Sequence, residues 1–111
     1  MEISLDWLNR QKPGNTAKFL NLEYVETKGD VYILKATFPN ETTNPMNMVQ
    51  GGMITAALDD ATAMVVISAY NFEIGPLTTD LHVLFHRPVA VGEALIAVSY
   101  THLTLPTKTV V

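Results

Sequence analysis

The sequence contains no cysteine, a single tryptophan and few basic residues. Without cysteine the chain has no disulfides, no thiol nucleophile and no thiolate metal ligand, and a cytoplasmic location is the expectation. The chain has seven Lys and Arg and eleven Asp and Glu, which gives a formal net charge of -4, and the basic residues form no cluster. We therefore expect neither a nucleic-acid partner nor an anionic membrane surface.

Long uninterrupted apolar runs are also lacking. Asp59 and Asp60 break the longest run, so no membrane span is predicted, and the acidic start MEISLDWLNRQ does not have the pattern of a secretory signal. The 111 residues suffice for one domain with a modest core. A composition of 48% apolar and 16% charged residues is typical of a folded globular protein.

The hydrophobic pattern predicts an α+β fold. A short helix could occupy residues 3–8, and a longer helix is predicted from Gly52 to about Tyr70, with apolar residues on nearly every face. Strands are predicted at residues 19–26, 31–38, 77–85 and from Ala94 onward. We expect the first two strands to pair through a turn at Gly29 and one antiparallel sheet to curl around the central helix.

Two adjacent aspartates lie inside the predicted apolar helix. Asp is a mediocre helix former and an unpaired buried charge is costly, so something must compensate. Neighbouring helical residues point about 100° apart, and Asp59 and Asp60 are therefore poorly placed to share a proton face to face. We expect one of them to face a site; the alternative is a half-exposed polar stripe.

The pair Gly51-Gly52 lies at the predicted start of this helix. Free backbone N–H groups there attract negative charge, and glycine lets a ligand approach the backbone, although an ordinary helix-entry turn explains the pair too. Seven residues separate Gly52 from Asp59, about 10 Å at the helical rise, which is too far for both to act on one carbonyl. If both are catalytic, a two-fold dimer with antiparallel central helices would bring them together.

These features, in this order, resemble hotdog-fold acyl-CoA thioesterases of the branch that includes phenylacetate-pathway and 4-hydroxybenzoyl-CoA thioesterases. The resemblance covers about residues 15–97 and depends on Asn44, the turn Val49-Gln-Gly-Gly52, Asp59, Thr78-Thr-Asp-Leu-His-Val-Leu-Phe-His-Arg-Pro88 and Gly92-Glu93. It implies a homodimer or dimer of dimers that hydrolyses an acyl-CoA to a free acid and coenzyme A. It also implies that no metal and no separate cofactor take part.

The resemblance further implies roles for single residues. Asp59 would be the nucleophile or the general base that activates water, and the sequence leaves both roles open. The N–H of Gly52 would polarise the thioester carbonyl, Asn44 would position water or substrate, and Thr78 would orient water near the carboxylate. Asp60 does not occupy the matching position.

A second group of residues would bind the substrate. Gly51 lets it approach, and Thr62 and Ala63, one turn beyond Asp59, would line the same pocket, although plain core packing explains them equally well. His86 and Arg87 would lie near the phosphates of coenzyme A, with a solvated strand end as the alternative.

The histidines set limits on the chemistry. Many relatives carry His immediately before the glycines, whereas this chain has Gln50, which can donate a hydrogen bond but cannot titrate near neutral pH. A mechanism that needs an imidazole there is excluded, while Gln50 as a positioning or carbonyl-contacting group is not. His82 and His86 share one face of an extended segment without a third ligand, so no metal site is expected.

The C-terminal segment departs from the family pattern. Val98-Ser-Tyr-Thr-His-Leu-Thr-Leu-Pro-Thr107 is identical to the conceptual translation of a transposase-type sequencing adapter, read as GTC TCT TAT ACA CAT CTG ACG CTG CCG ACG. We therefore expect residues 1–97 to be a truncated hotdog domain without its last strands, and residues 98–111 to be an artefactual tail. A natural β-strand is the alternative.

Two other functions stay open at this point, because a fold does not fix a function. One is a non-catalytic acyl-CoA-binding module. The other is a hotdog dehydratase or hydratase that acts on enoyl thioesters, which Gln50 makes less favourable because such enzymes typically pair an acid with a histidine.

Overall fold

The computed structural model describes residues 15–69 and 80–99. They form helix α1 (Asn15–Phe19), strands β1 (Glu23–Lys28) and β2 (Val31–Phe38), a 3₁₀ turn (Asn40–Thr42), helix α2 (Gly51–Ala69) and strand β3 (Gly92–Ser99). The helix predicted at residues 3–8 lies outside the described residues. The described part of β3 includes Val98 and Ser99, the first residues of the predicted tail, and the boundary after residue 97 stays a prediction.

The three strands form one antiparallel sheet with β2 in the centre. Val31 pairs with Lys28 of β1 and with Ser99 of β3, and Phe38 pairs with Gly92. The connection from β1 to β2 is tight because Gly29 adopts a φ of 61°, a left-handed conformation that glycine takes without a steric penalty. The predicted strand pair and the predicted strand near Ala94 are therefore confirmed.

The core lies between the sheet and one side of α2. Alternate residues of β2 point to this side, and all four are buried: Tyr32, Leu34, Ala36 and Phe38. They pack in one cluster with Ala57, Ala61 and Val65, which lie four residues apart and therefore form a single stripe along α2. The predicted central helix on an antiparallel sheet is confirmed.

The described strands cover α2 on one side only. By length and hydropathy alone residues 51–68 could also cross a membrane, a test that core helices of globular domains pass as well. Here the buried stripe of α2 contacts the sheet, whereas Gly52 on the far side is exposed and Asp59 is partly exposed. Among the described residues, Gly52 and Asp59 therefore lie on the side of α2 that is turned away from the sheet.

Two local predictions are wrong. Strand β1 begins at Glu23 rather than at residue 19, because the preceding residues close a helical turn in which the Leu22 N–H donates to the Ala17 carbonyl at 3.0 Å. Residues 80–85, the described part of the strand predicted at 77–85, form no strand. An extended segment becomes a strand only when a neighbour takes its backbone hydrogen bonds, and no described strand lies against this one.

Candidate active site

The loop before α2 is built around Asn44. Its Oδ1 accepts hydrogen bonds from the N–H groups of Met46 (2.9 Å) and Met48 (3.1 Å), and its own N–H donates to the Met48 carbonyl at 2.7 Å. The loop turns at Asn47, whose φ of 65° is one that asparagine tolerates better than most residues. The Asn44 side chain thus shapes the loop through its oxygen and keeps its amide nitrogen for other contacts.

Helix α2 begins with a side-chain cap from Gln50. The Oε1 atom accepts a hydrogen bond from the Met53 N–H at 3.2 Å, and the Gln50 carbonyl accepts from the same N–H at 2.9 Å. A Cβ atom on Gly52 would lie 2.7 Å from Oε1, so glycine at this position leaves room for the cap. The oxygen of Gln50 therefore holds the helix start, and only its Nε2 can act as the predicted donor.

The first two N–H groups of α2 are open. Within the described residues no hydrogen bond leaves the N–H of Gly51 or Gly52, as expected at a helix start where no residue one turn earlier can accept. The helix dipole adds partial positive charge at the same place. The predicted attraction for a carbonyl oxygen or an anion thus has its donors available here.

A pocket of about 280 Å³ opens at this helix start. Its lining includes four residues predicted for the site: Asn44, Gly51, His86 and Arg87. The rest of the lining is apolar and comprises Met48, Val49, Ile54, Phe85 and Pro88. Gln50 and Gly52, also predicted for the site, flank Gly51 in the chain but do not line the pocket. A small, mainly apolar cavity beside the helix start, with a basic rim, can hold an apolar group that ends in a carbonyl.

The two aspartates of α2 are both half-buried. Asp60 Oδ2 accepts a hydrogen bond from the Thr16 hydroxyl of α1 at 2.7 Å, which gives this carboxylate a structural partner. Asp59 is half-buried and does not line the pocket. Gly52 and Asp59 are seven residues apart, which is about 20° short of two full helical turns. Asp59 therefore lies on the same side of α2 as Gly52, about 10 Å further along the helix axis.

The remaining predicted residues are further from the pocket. Thr62 and Ala63 are half-buried one turn beyond Asp59, and the Thr62 hydroxyl donates to the Leu58 carbonyl at 2.8 Å, so its proton is used within the helix. Thr78 lies outside the described residues. His82 is exposed and does not line the pocket. In residues 15–69 and 80–99 no three metal-ligating side chains converge, and the expectation of no metal stays a prediction.

Phe85 is the main pocket residue that the sequence did not single out. A Cβ atom on Gly51 would lie 3.3 Å from Cζ of the Phe85 ring, so the ring rests on the helix start while it remains 56% exposed. In the sequence it looks like one more apolar residue of an alternating segment. Only its position next to two polar pocket residues, His86 and Arg87, could have pointed to the site.

An antiparallel sheet packed on a long central helix, with a glycine turn and a pocket at the helix start, defines the hotdog fold. A family model for the thioesterase superfamily matches residues 46–103, more than half of the chain, and the chain belongs to this superfamily. The matched range includes the first residues of the predicted tail.

Among solved structures, the chain is similar to a phenylacetic acid degradation-related protein from Ralstonia eutropha JMP134, which is described as a candidate thioesterase. The TM-score is 0.71 at 27% identity, over 80% of this chain and 70% of that one. A search of curated proteins finds no match.

Proposed function

We propose that this protein hydrolyses an acyl-CoA thioester to a free acid and coenzyme A. Membership of the thioesterase superfamily supports thioester hydrolysis in general. The observation that carries the proposal is the open start of α2 beside an apolar pocket with His86 and Arg87 at its rim. The acyl group would occupy the pocket, and the Gly52 N–H would stabilise the negative charge that develops on the carbonyl oxygen.

The basic rim suits the other end of the substrate. Coenzyme A carries phosphates, and an exposed guanidinium binds phosphate oxygens through charge-assisted hydrogen bonds. Arg87 and His86 are both exposed and follow Phe85 directly, so they can reach a phosphate outside the pocket while the acyl group lies inside. We propose that His86 and Arg87 bind the phosphates of coenzyme A while the pocket holds the acyl group.

Asp59 supplies the chemistry in this proposal. As a nucleophile it would attack the thioester carbon, expel the thiolate of coenzyme A and form an anhydride that water then cleaves; as a general base it would take a proton from the attacking water. A single turnover in water labelled with heavy oxygen is a first test. Label in the carboxylate of Asp59 indicates a nucleophile whose anhydride is opened at the aspartyl carbon. Label only in the product acid fits a general base or attack of water at the acyl carbon of the anhydride, and trapping of the anhydride with hydroxylamine separates these two cases. Thr78 and Asn44 would orient the water in either case.

A second subunit completes the proposed site. The axial distance of about 10 Å from Gly52 to Asp59 is too long for both to act on one carbonyl, whereas an antiparallel α2 from a partner would pair each Gly52 with the other chain's aspartate. By helical spacing the small residues Thr55 and Ala63 lie on the same side of α2. Small side chains would let a second helix approach closely. A homodimer, or a dimer of dimers, in the cytoplasm and without a cofactor, is therefore part of the proposal.

Co-expression of two inactive chains tests the shared site. We expect homodimers of Asp59→Asn and of Gly52→Val to release little thiol from acyl-CoAs. A mixed dimer retains one intact site, built from the normal Asp59 of one chain and the normal Gly52 of the other. Random pairing should therefore restore about a quarter of wild-type activity. Activity no higher than that of either homodimer would contradict a site shared between chains.

A further inference from the structure

Phe85 forms one wall of the pocket. The ring is 56% exposed, yet it is not splayed into solvent, because its tip rests against Gly51. A large apolar side chain held at the mouth of a pocket keeps apolar area in contact with water, which is unfavourable until something apolar covers it. The neighbouring lining residues Met48, Val49 and Ile54 are apolar as well.

The size of the pocket limits what can cover the ring. Pockets for whole drug-sized ligands measure roughly 300–1,000 Å³, and this one measures about 280 Å³. A complete acyl-CoA is larger than such ligands, so only part of it can lie in the pocket, and the mainly apolar lining favours the acyl end. An acyl end inside the pocket would place its first methylene groups beside Gly51, which lines the pocket and against which the Phe85 ring rests.

We infer that Phe85 is a specificity-determining residue that bounds the acyl subsite and sets the length of the acyl chain that the pocket accepts. The inference rests on the proposed function. With the ring removed, additional methylene groups would find space against the remaining apolar wall. Each methylene taken out of water strengthens binding about fourfold. Two more methylenes would thus shift the preference by about one order of magnitude.

The test uses a series of non-hydrolysable S-alkyl-CoA thioethers of increasing chain length, with Kd measured by calorimetry for the full chain. For Phe85→Ala we expect the chain length of tightest binding to increase and the ratio of long-chain to short-chain affinity to rise about tenfold or more. For Phe85→Trp, which narrows the same wall, we expect a shift to shorter chains. Leu84→Ala is the matched control, because Leu84 is 69% exposed in the same segment but does not line the pocket.

Thiol release from the corresponding acyl-CoAs is measured in parallel, so that the two proposals can fail separately. Suppose that the wild type hydrolyses acyl-CoAs but that Kd depends on chain length in the same way in the wild type and in both Phe85 variants. This result would overturn the role of Phe85 and leave the proposed function standing. Shifted binding profiles without hydrolysis in the wild type would support the acyl subsite and overturn the hydrolase. No binding of any thioether to the wild type would overturn the subsite itself.

Discussion

The start of α2 gives a quantitative prediction, because Gly52 and Gln50 compete for the same space. In Gly52→Ala the new Cβ would fall 2.7 Å from Gln50 Oε1, so the Gln50 side chain must swing away from the Met53 N–H. Loss of a helix cap lowers the free energy of unfolding by about 1 kcal/mol, and replacement of glycine by alanine in a helix raises it by up to about 1 kcal/mol. We expect the free energy of unfolding of Gly52→Ala to stay near that of the wild type.

The single and double variants separate these two effects. Gln50→Ala should lower the free energy of unfolding by about 1 kcal/mol, since it loses the cap and gains nothing. The double variant has no cap to displace, so the alanine at position 52 should now stabilise, and the cycle should give a coupling of about 1 kcal/mol. Urea unfolding followed by circular dichroism measures all four free energies. Strictly additive effects would refute the close contact between position 52 and the Gln50 cap.

The same four proteins also report on the site. If the Cβ at position 52 blocks the approach of a carbonyl to the backbone, thiol release should fall in Gly52→Ala whether or not Gln50 is present. If the Cβ acts only by displacing the Gln50 side chain, Gln50→Ala should release thiol as slowly as Gly52→Ala does. The double variant should then be no slower than either single variant. We expect the first outcome, because the N–H of Gly52 is the proposed carbonyl donor.

Two further predictions concern other parts of the fold. Burial raises the pKa of the Tyr32 hydroxyl above its ordinary value of 10.0. The folded state therefore holds this proton more tightly than the unfolded state does. The resulting contribution to the free energy of unfolding is full below about pH 10 and is lost as the pH rises through the folded-state pKa. The melting temperature of the wild type should fall more steeply than that of Tyr32→Phe above about pH 10, and parallel curves would contradict the burial of the hydroxyl. Thr16→Val removes the hydrogen bond to Asp60 at an exposed position and should cost about 0.5–1 kcal/mol in urea unfolding, but no more than a few tenths in an Asp60→Ala background, where the acceptor is absent. Equal costs in both backgrounds would rule out the contact.

Structural features that arise from local residue patterns could be predicted from the sequence. The strand formers of residues 31–38 and the long apolar run from Gly52 predict β2 and α2. The stripe of α2 that meets the sheet could not be predicted, because apolar residues lie on nearly every face of this helix. Gly29 marks its turn because few other residues adopt its φ. In these places the side-chain pattern and the backbone preference agree, and the structure follows them.

Features that depend on distant contacts could not be predicted. Residues 80–85 alternate as a strand does, yet strand formation requires a neighbour that periodicity does not reveal. The partner of Asp60 is Thr16, 44 residues away, and nothing in either local segment indicates the pair. The contact of Phe85 with Gly51 likewise arises from the path of the chain and not from the residues around it.

Thiol release from a panel of acyl-CoAs by the wild type, Asp59→Asn and Asp60→Asn is the most direct measurement of the proposed function. Asp60 is the matched control, since it is the adjacent carboxylate on the same helix and does not occupy the position that the resemblance assigns to the catalytic residue. We predict that the wild type releases coenzyme A, that Asp59→Asn loses at least about a hundredfold in kcat/KM, and that Asp60→Asn stays close to the wild type. Undiminished turnover in Asp59→Asn would contradict the assignment of Asp59 as the nucleophile or general base.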